Sequence, residues 1–205
     1  MDPSRLIAAL AAALPVTPLA AQSPTPPAQT SADSYTRYQL EAPGSGAFRI
    51  VYDVTATRTG ALRFYNAVRA GAEEEVHGVI DLATGHPLAW RLVDGAVARE
   101  GGVRGAGDGS RYIEVTLAQP VPVGGGVRLR IDKTYVDTAS YRVEPGGDIV
   151  FTRSLGIARN SLVLPTGFEV ASANIPSLVN VEADGRIRLS FMNAENQALT
   201  WTVRA

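Results

Sequence analysis

Apolar residues alternate with polar ones over many short runs of this chain, and this period of two constrains the fold more than any other feature. Phe48, Ile50, Tyr52 and Val54 share one face of the first run, and polar side chains fill most of the positions between them. Such alternation is typical of a half-buried β-strand, because successive side chains of a strand point to opposite faces. Similar runs recur to the end of the chain, and no window after residue 21 sustains a helical period. We therefore predict an all-β fold.

Turn-forming dipeptides separate these runs. Thr84-Gly85, Asp94-Gly95 and Asp184-Gly185 each accept the positive φ that a tight hairpin turn needs. About ten short strands, spaced by about 8 to 15 residues, are typical of an antiparallel sandwich or a closed barrel. We predict an antiparallel β-sandwich in which Trp90 and Trp201, both in phase with aliphatic neighbours, belong to the core.

The first residues have the pattern of a secretory signal peptide. Arg5 precedes an apolar run from Leu6 to Leu14, prolines follow, and Ala20-Ala21 supplies small residues for cleavage. This apolar segment is shorter than the roughly 20 residues that span a bilayer. We predict a cleaved signal peptide over residues 1–21, a disordered Pro/Ser/Thr-rich linker over 22–34 and a single sandwich domain over 35–205. The predicted location is the periplasm or the extracellular space.

Composition excludes several classes of function. The 205 residues carry 19 Lys+Arg and 20 Asp+Glu, a formal net charge of -1, and so lack the basic field that nucleic acids or anionic lipids select. No cysteine is present, which removes disulfides, thiolate metal sites and a cysteine nucleophile. We predict no cofactor, no metal and no transmembrane segment.

Catalytic motifs are absent from the sequence. His77 and His86 are the two histidines, and neither belongs to a His-x-x-x-His pair. No Gly-x-Ser-x-Gly elbow frames a serine. A carboxylate-dependent hydrolase or lyase remains an alternative, because two of five aspartates could meet across a sheet. These are Asp53, Asp81, Asp132, Asp137 and Asp148.

The segment 132–160 has the densest set of side chains suited to binding. It contains Lys133, the only lysine beside 18 arginines, together with tyrosines that offer rigid faces and arginines that offer planar donors. The candidate binding residues are Tyr135, Tyr141, Arg153, Arg159 and Asn160. The alternative interpretation is structural, with the tyrosines packing over the core and Arg153 pairing with a cross-strand acid.

The layout resembles the N-terminal β-sandwich of secreted M1-type metallopeptidases. The resemblance rests on the strand Phe48–Thr55 leading into a turn, an Asp-x-x-x-Gly stretch, a proline-flanked strand and the late segment Leu164–Val170 (LPTGFEV). The zinc motif of that family is missing, so the resemblance implies an accessory or binding sandwich without the catalytic part.

These observations together predict an exported, non-enzymatic β-sandwich module that binds a protein, peptide or glycan partner. The carboxylate-dependent enzyme and the accessory domain of the M1-type sandwich are the alternatives.

Overall fold

The computed structural model describes residues 26–195 and 197–205. The predicted signal peptide and the first part of the predicted linker lie outside these ranges. The described chain is 50% strand and 3% helix, which confirms the all-β class. It contains fourteen strands and one helix, in the order β1 Ser31–Leu40, β2 Ala47–Ala56, β3 Arg63–Val68, β4 Glu73–Asp81, β5 Trp90–Asp94, α1 Gly95–Glu100, β6 Arg111–Thr116, β7 Val127–Val136, β8 Tyr141–Val143, β9 Ile149–Leu155, β10 Arg159–Val163, β11 Ser172–Ala173, β12 Leu178–Val181, β13 Ile187–Met192 and β14 Leu199–Arg204.

Seven strands form the large sheet of the sandwich, in the order β12-β13-β10-β1-β2-β7-β4. Neighbouring strands are antiparallel except β1 and β10, which pair in parallel with Tyr38 opposite Leu162. The predicted antiparallel sandwich is therefore confirmed with one parallel pair at its centre. Parallel pairing needs a long connection, and the chain places most of its remaining strands in that connection.

Two smaller sheets form the second layer. One has four strands in the order β11-β14-β9-β8, and the other has three in the order β3-β6-β5. The ring of Phe151 on β9 lies 5.3 Å from that of Tyr38 and 5.6 Å from that of Phe48, so the four-stranded sheet packs on the large one. Phe64 of β3 and Ile113 of β6 belong to the same hydrophobic cluster. Each such aromatic pair contributes roughly 0.5–1.5 kcal/mol beyond the area it buries.

The alternation in the sequence determines which side chains enter the core. Every second residue of β7 is buried, from Val127 through Leu129 and Ile131 to Tyr135. Trp201 is fully buried as predicted. Trp90 is 38% exposed although it is in phase with the core, because β5 is an edge strand that the layers cover only in part.

One of the three turns expected from the sequence needs correction. Asp94-Gly95, predicted to be a tight turn, begins α1, because the Asp94 carboxylate caps the helix by accepting from the backbone N–H of Val97 at 3.0 Å. By contrast, Gly85 and Gly185 have the positive φ expected of their turns, 75° and 83°.

The end of the predicted linker is ordered against the domain. Residues 31–34 belong to β1, which begins at Ser31. Upstream, the side-chain amide of Gln29 donates to the carbonyl of Tyr65 at 2.9 Å and accepts from its N–H at 2.8 Å. A polar segment can be held in this way without an apolar pattern, since backbone groups supply the partners.

No helix of the described residues is both long and apolar enough to cross a bilayer.

Candidate functional site

A cavity of about 260 Å³ opens where all three sheets meet, and we call it the basic cavity. Its floor is the inner face of the large sheet, and β3 and β9 of the two smaller sheets form its walls. The lining consists of aromatic, aliphatic and cationic side chains, namely Thr36, Tyr38, Ile50, Tyr52, Asn66, Ala67, Val68, Arg69, Lys133, Tyr135, Arg153 and Ile157.

Lys133 is the first cation of this cavity. It follows Leu129 and Ile131 on the inner face of β7 and is only 4% exposed. Its Nζ donates to Oδ1 of Asn66 at 2.6 Å and lies 4.9 Å from the centroid of the Tyr135 ring. Burial lowers the pKa of Lys133 to about 7, and the nearby charge of Arg153 acts in the same direction.

Arg153 is the second cation and reaches the cavity from β9, where it is 8% exposed. Its guanidinium carbon lies 5.2 Å from the ring centroid of Phe48, 5.5 Å from that of Tyr38 and 5.6 Å from that of Tyr135. Arginine over aromatic faces is stabilised by the negative face of each ring. The Nε atom of Arg153 is buried and has no hydrogen-bond partner among the described residues.

Asp137 supplies the counter-charge. Its Oδ2 lies 3.6 Å from Nη1 of Arg153 and 3.4 Å from Nε of Arg69, and the hydroxyl of Ser140 donates to it at 2.6 Å. Burial opposes ionisation of this carboxyl, but the Ser140 hydrogen bonds and the two arginines outweigh it. Together they hold the pKa of Asp137 below its ordinary value.

A second cavity, of about 590 Å³, lies at the edge of the large sheet beside β12, and we call it the edge cavity. Its lining is mostly apolar and comes from β1, β10, β12, β13 and the segment before β12. The lining residues are Tyr35, Arg159, Asn160, Pro176, Ser177, Leu178, Ser190, Phe191 and Met192.

Strand β12 borders the edge cavity and has one neighbour, β13, within the described sheet. All four of its residues are exposed, and three of them are apolar, with Leu178 75%, Val179 55% and Val181 70% exposed. The other end of the sheet differs, because β4 carries Glu73, Glu75 and a bulge, devices that discourage pairing with another strand.

The five predicted site residues do not converge on one place. Tyr135 and Arg153 line the basic cavity, whereas Arg159 and Asn160 line the edge cavity. Tyr141 lies in the core with no exposed surface, and its hydroxyl donates to the carbonyl of Glu41 at 3.1 Å. The structure thus distributes the five residues, which the sequence suggested as one surface, over two cavities and the core.

Arg159 is also less available than its position suggests. Its guanidinium donates to the backbone carbonyl of Asp33 at 2.9 Å and pairs with the carboxylate of the same residue. Arg159 therefore holds the N-terminal segment against β10, and most of the other residues that line the edge cavity present apolar surface.

Four of the five aspartates considered for carboxylate chemistry are engaged elsewhere. Asp53 accepts from Arg130 at 2.7 and 2.8 Å, and Asp132 accepts from Nε of Arg49 at 2.7 Å. Asp137 pairs with Arg153 and Arg69 beside the basic cavity. Asp81 accepts from two backbone N–H groups of the following turn. These contacts are those of ion pairs and turns and do not form a pair of facing carboxylates.

Lys133 is the residue that the sequence singled out without assigning to the site. The signal was present, because Lys133 continues the buried alternation of Leu129 and Ile131 and precedes Tyr135 by two positions. A lysine in phase with a buried face is rarely tolerated without a partner.

No protein-family model and no curated protein matches this sequence. Solved structures do match. An M1 zinc metallopeptidase from Deinococcus radiodurans has a TM-score of 0.58 at 12% identity, covering 87% of this chain and 42% of that chain. A mutant of the Deinococcus radiodurans M1 zinc metallopeptidase bound to a Tyr-Ser-Ala substrate has a TM-score of 0.53 at 14% identity, covering 84% and 41%.

This similarity concerns the fold. The chain spans about two fifths of the length of those solved enzymes. The resemblance to M1-type metallopeptidases drawn from the sequence is thereby confirmed as a likeness of architecture, that of a β-sandwich module.

Proposed function

We propose that this chain is an exported, non-enzymatic binding module that holds an extended peptide segment of a partner protein along β12. The observation that carries the proposal is the exposed, apolar and unpaired edge of β12 beside the edge cavity. Export is proposed from the signal-peptide pattern of residues 1–21.

The backbone of β12 is suited to accept another strand. Glu182 donates its N–H to the carbonyl of Arg186, so this residue points toward β13. Residues of an antiparallel pair alternate between pointing toward and away from the partner. Counting back, Val179 and Val181 direct their N–H and C=O groups to the free edge, where an added strand would bond to them.

The side chains beside this edge complement the backbone. Leu178 lies on the outer face of the sheet opposite Ser190, and both line the edge cavity. A peptide strand added to β12 would alternate its side chains between the two faces. One of them would enter the edge cavity and replace its contact with water by contact with Leu178 and Met192, both largely exposed.

A protein partner agrees with the comparisons. In the M1 zinc metallopeptidases the matching fold is part of a chain more than twice as long, so a sandwich of this shape is joined there to further protein. Neither the engaged aspartates nor His77, which hydrogen-bonds Thr134 at 2.8 Å, favours the carboxylate-dependent enzyme.

The experiment selects a displayed library of random ten-residue peptides on the immobilised protein and measures the affinity of the recovered peptides, made synthetically. We expect peptides with alternating apolar residues, and we expect Val179→Pro to weaken their binding about tenfold. Proline removes one N–H from the free edge, and its ring also hinders close approach of the added strand.

Val179→Thr is the matched control, because threonine keeps both the N–H and the β-branched shape, and its affinity should stay within about threefold of the original. Bound peptide should also protect the Val179 and Val181 amides from hydrogen exchange. The proposal is wrong if no peptide is enriched or if the proline variant binds as well as the parent. It is equally wrong if the free protein is a dimer with these amides already protected.

A further inference from the structure

We infer that the basic cavity is a second, separate binding site, for a small organic carboxylate whose charged group faces Lys133 and Arg153. This inference does not depend on the proposed peptide site, because the two cavities have no lining residue in common. The lining of the edge cavity includes the outward-facing Arg159 and Ser190, whereas Lys133 is on the inner face.

The first argument is the balance of charge. Three cations, Lys133, Arg153 and Arg69, line the cavity, and Asp137 is the anion that contacts the two arginines. Glu74 lies on the neighbouring strand opposite Tyr135, but its carboxylate is paired with Arg111. Buried charges are costly unless they are paired. A bound anion would therefore supply the second negative charge that the cavity lacks.

The second argument is the presence of polar atoms without partners. Nε of Arg153 and Oγ1 of Thr36 are buried and have no hydrogen-bond partner among the described residues, although both side chains line the cavity. Lys133 can donate three hydrogen bonds, and one goes to Asn66. Unsatisfied buried groups are rare in native proteins, and each calls for an explanation such as an ordered water or a bound ion.

The third argument is the shape and chemistry of the walls. The rings of Tyr38 and Tyr52 and the aliphatic side chains of Ile50, Val68 and Ile157 surround the two cations. A volume of about 260 Å³ equals that of about eight or nine water molecules at roughly 30 Å³ each, enough for an organic anion of similar atom count. Apolar walls with a few convergent charges are typical of small-molecule sites.

Binding should be linked to the protonation of Lys133. The titratable groups that line the cavity or act on this amine are Arg153, Arg69, Glu74, Tyr38, Tyr52 and Tyr135, and Asp137 contacts the two arginines. With a pKa of about 7, the amine is mostly neutral at pH 8 and must take up a proton to meet a carboxylate. A bound anion favours the charged form, so uptake of close to one proton is expected at pH 8 and little at pH 6.

The experiment titrates the protein with benzoate and with benzamide, which has the same shape and no charge, using calorimetry in two buffers of different ionisation heat. We expect benzoate to bind at least about tenfold more tightly than benzamide and to take up about one proton at pH 8. Its affinity should fall about tenfold between pH 6 and pH 8 if only the protonated lysine binds it.

Lys133→Met should remove most of the affinity for benzoate and all of the proton uptake. Arg159→Met, in the edge cavity, is the matched control and should change neither. The inference fails if benzamide or inorganic phosphate binds as well as benzoate, or if the folded protein takes up no proton at pH 8. The proton count is measured on the original protein and needs no variant to fold. A failed peptide selection leaves this result unaffected, so the two proposals can be told apart.

Discussion

The two cavities show how one sheet can offer two different surfaces to a ligand. The basic cavity has Lys133 and Arg153, both largely buried, among aromatic walls, and Asp137 pairs with Arg153 beside it. Among the described residues that line the edge cavity, Arg159 is the one cation, and its side chain is already paired with Asp33. The two cavities differ in how far water reaches their charged groups. On the inner face charges act at low effective dielectric, where each is costly alone and strong in a pair. At the outer edge, backbone groups and apolar surface are the available partners.

The two regions should consequently differ in what they contribute to folding. A buried lysine and an arginine with an unsatisfied Nε lower the stability of the folded state, whereas exposed leucine and valine at an edge change it little. Native sequences accept such local penalties mainly where function requires them. Stability measurements on variants can therefore test the contrast directly.

The largest effect is expected from Asp137→Asn, which keeps the size of the side chain and removes the counter-charge of Arg153 and Arg69. Breaking a buried pair by removing one partner leaves a buried charge uncompensated. We expect the free energy of unfolding at pH 7, measured with urea, to fall by about 4 kcal/mol. The folded-state pKa of Asp137 is below its ordinary value, so its stabilisation is present above about pH 5 and is lost as the pH falls through that folded-state pKa.

The matched control is Glu182→Gln after the end of β12, which removes the partner of Arg37, 3.0 Å away, and of Arg188, 3.3 Å away. These pairs are closer to solvent, and their loss should cost about 0.5–1 kcal/mol. Equal losses for the two variants would contradict the contrast between the regions.

The second effect concerns Lys133→Met. The pKa of this lysine is about 7 in the folded protein against 10.5 in the unfolded chain, so between these values the unfolded state binds more protons and stability rises with pH. Between pH 7 and pH 9.5 the original protein should gain about 3 kcal/mol relative to the methionine variant.

Parallel urea titrations at the two pH values measure this gain, and the comparison between the two proteins cancels the contribution of every titrating group that they share. If the free energies of unfolding of the two proteins change equally between the two pH values, Lys133 is solvated in the folded state, contrary to its burial.

The smallest effect is expected at the edge cavity. Leu178→Ser replaces a side chain that is 75% exposed, and the free energy of unfolding should change by less than about 0.5 kcal/mol. Leu162→Ala, at a fully buried position of the same sheet, should cost about 3 kcal/mol. A large loss from the serine variant would indicate that Leu178 stabilises the fold and is not kept exposed for binding.

Much of the fold follows from the alternation of side chains. Period two correctly places Phe48, Ile50 and Trp201 in the core, and the turns at Gly85 and Gly185 follow from their glycines. The division of the second layer into two sheets does not follow, because strand partners depend on contacts between residues far apart in sequence. Strand alternation describes one strand at a time.

The candidate site was less predictable for the same reason. Tyr135 and Arg153 meet in the basic cavity because β7 and β9 belong to facing sheets, a fact that no local pattern contains. Arg159 and Asn160 are neighbours on β10 and so point to opposite faces, which the period of two does imply. Lys133 could have been placed among the buried residues by the same reasoning, whereas its partner Asn66 on β3 could not.

The parallel pairing of β1 with β10 has a consequence for the order in which the chain can fold. β1 and β2 are joined by a short turn and can form a hairpin as soon as both exist, but Tyr35 meets Arg159 only after all the intervening strands are present. Folding is slow when the entropy of closing so long a loop is lost before the stabilising contact forms. Proteins dominated by such pairings fold in milliseconds to seconds. Until β10 arrives, one side of β1 is unpaired, and during that interval the nascent chain carries an open strand edge in the middle of its future sheet.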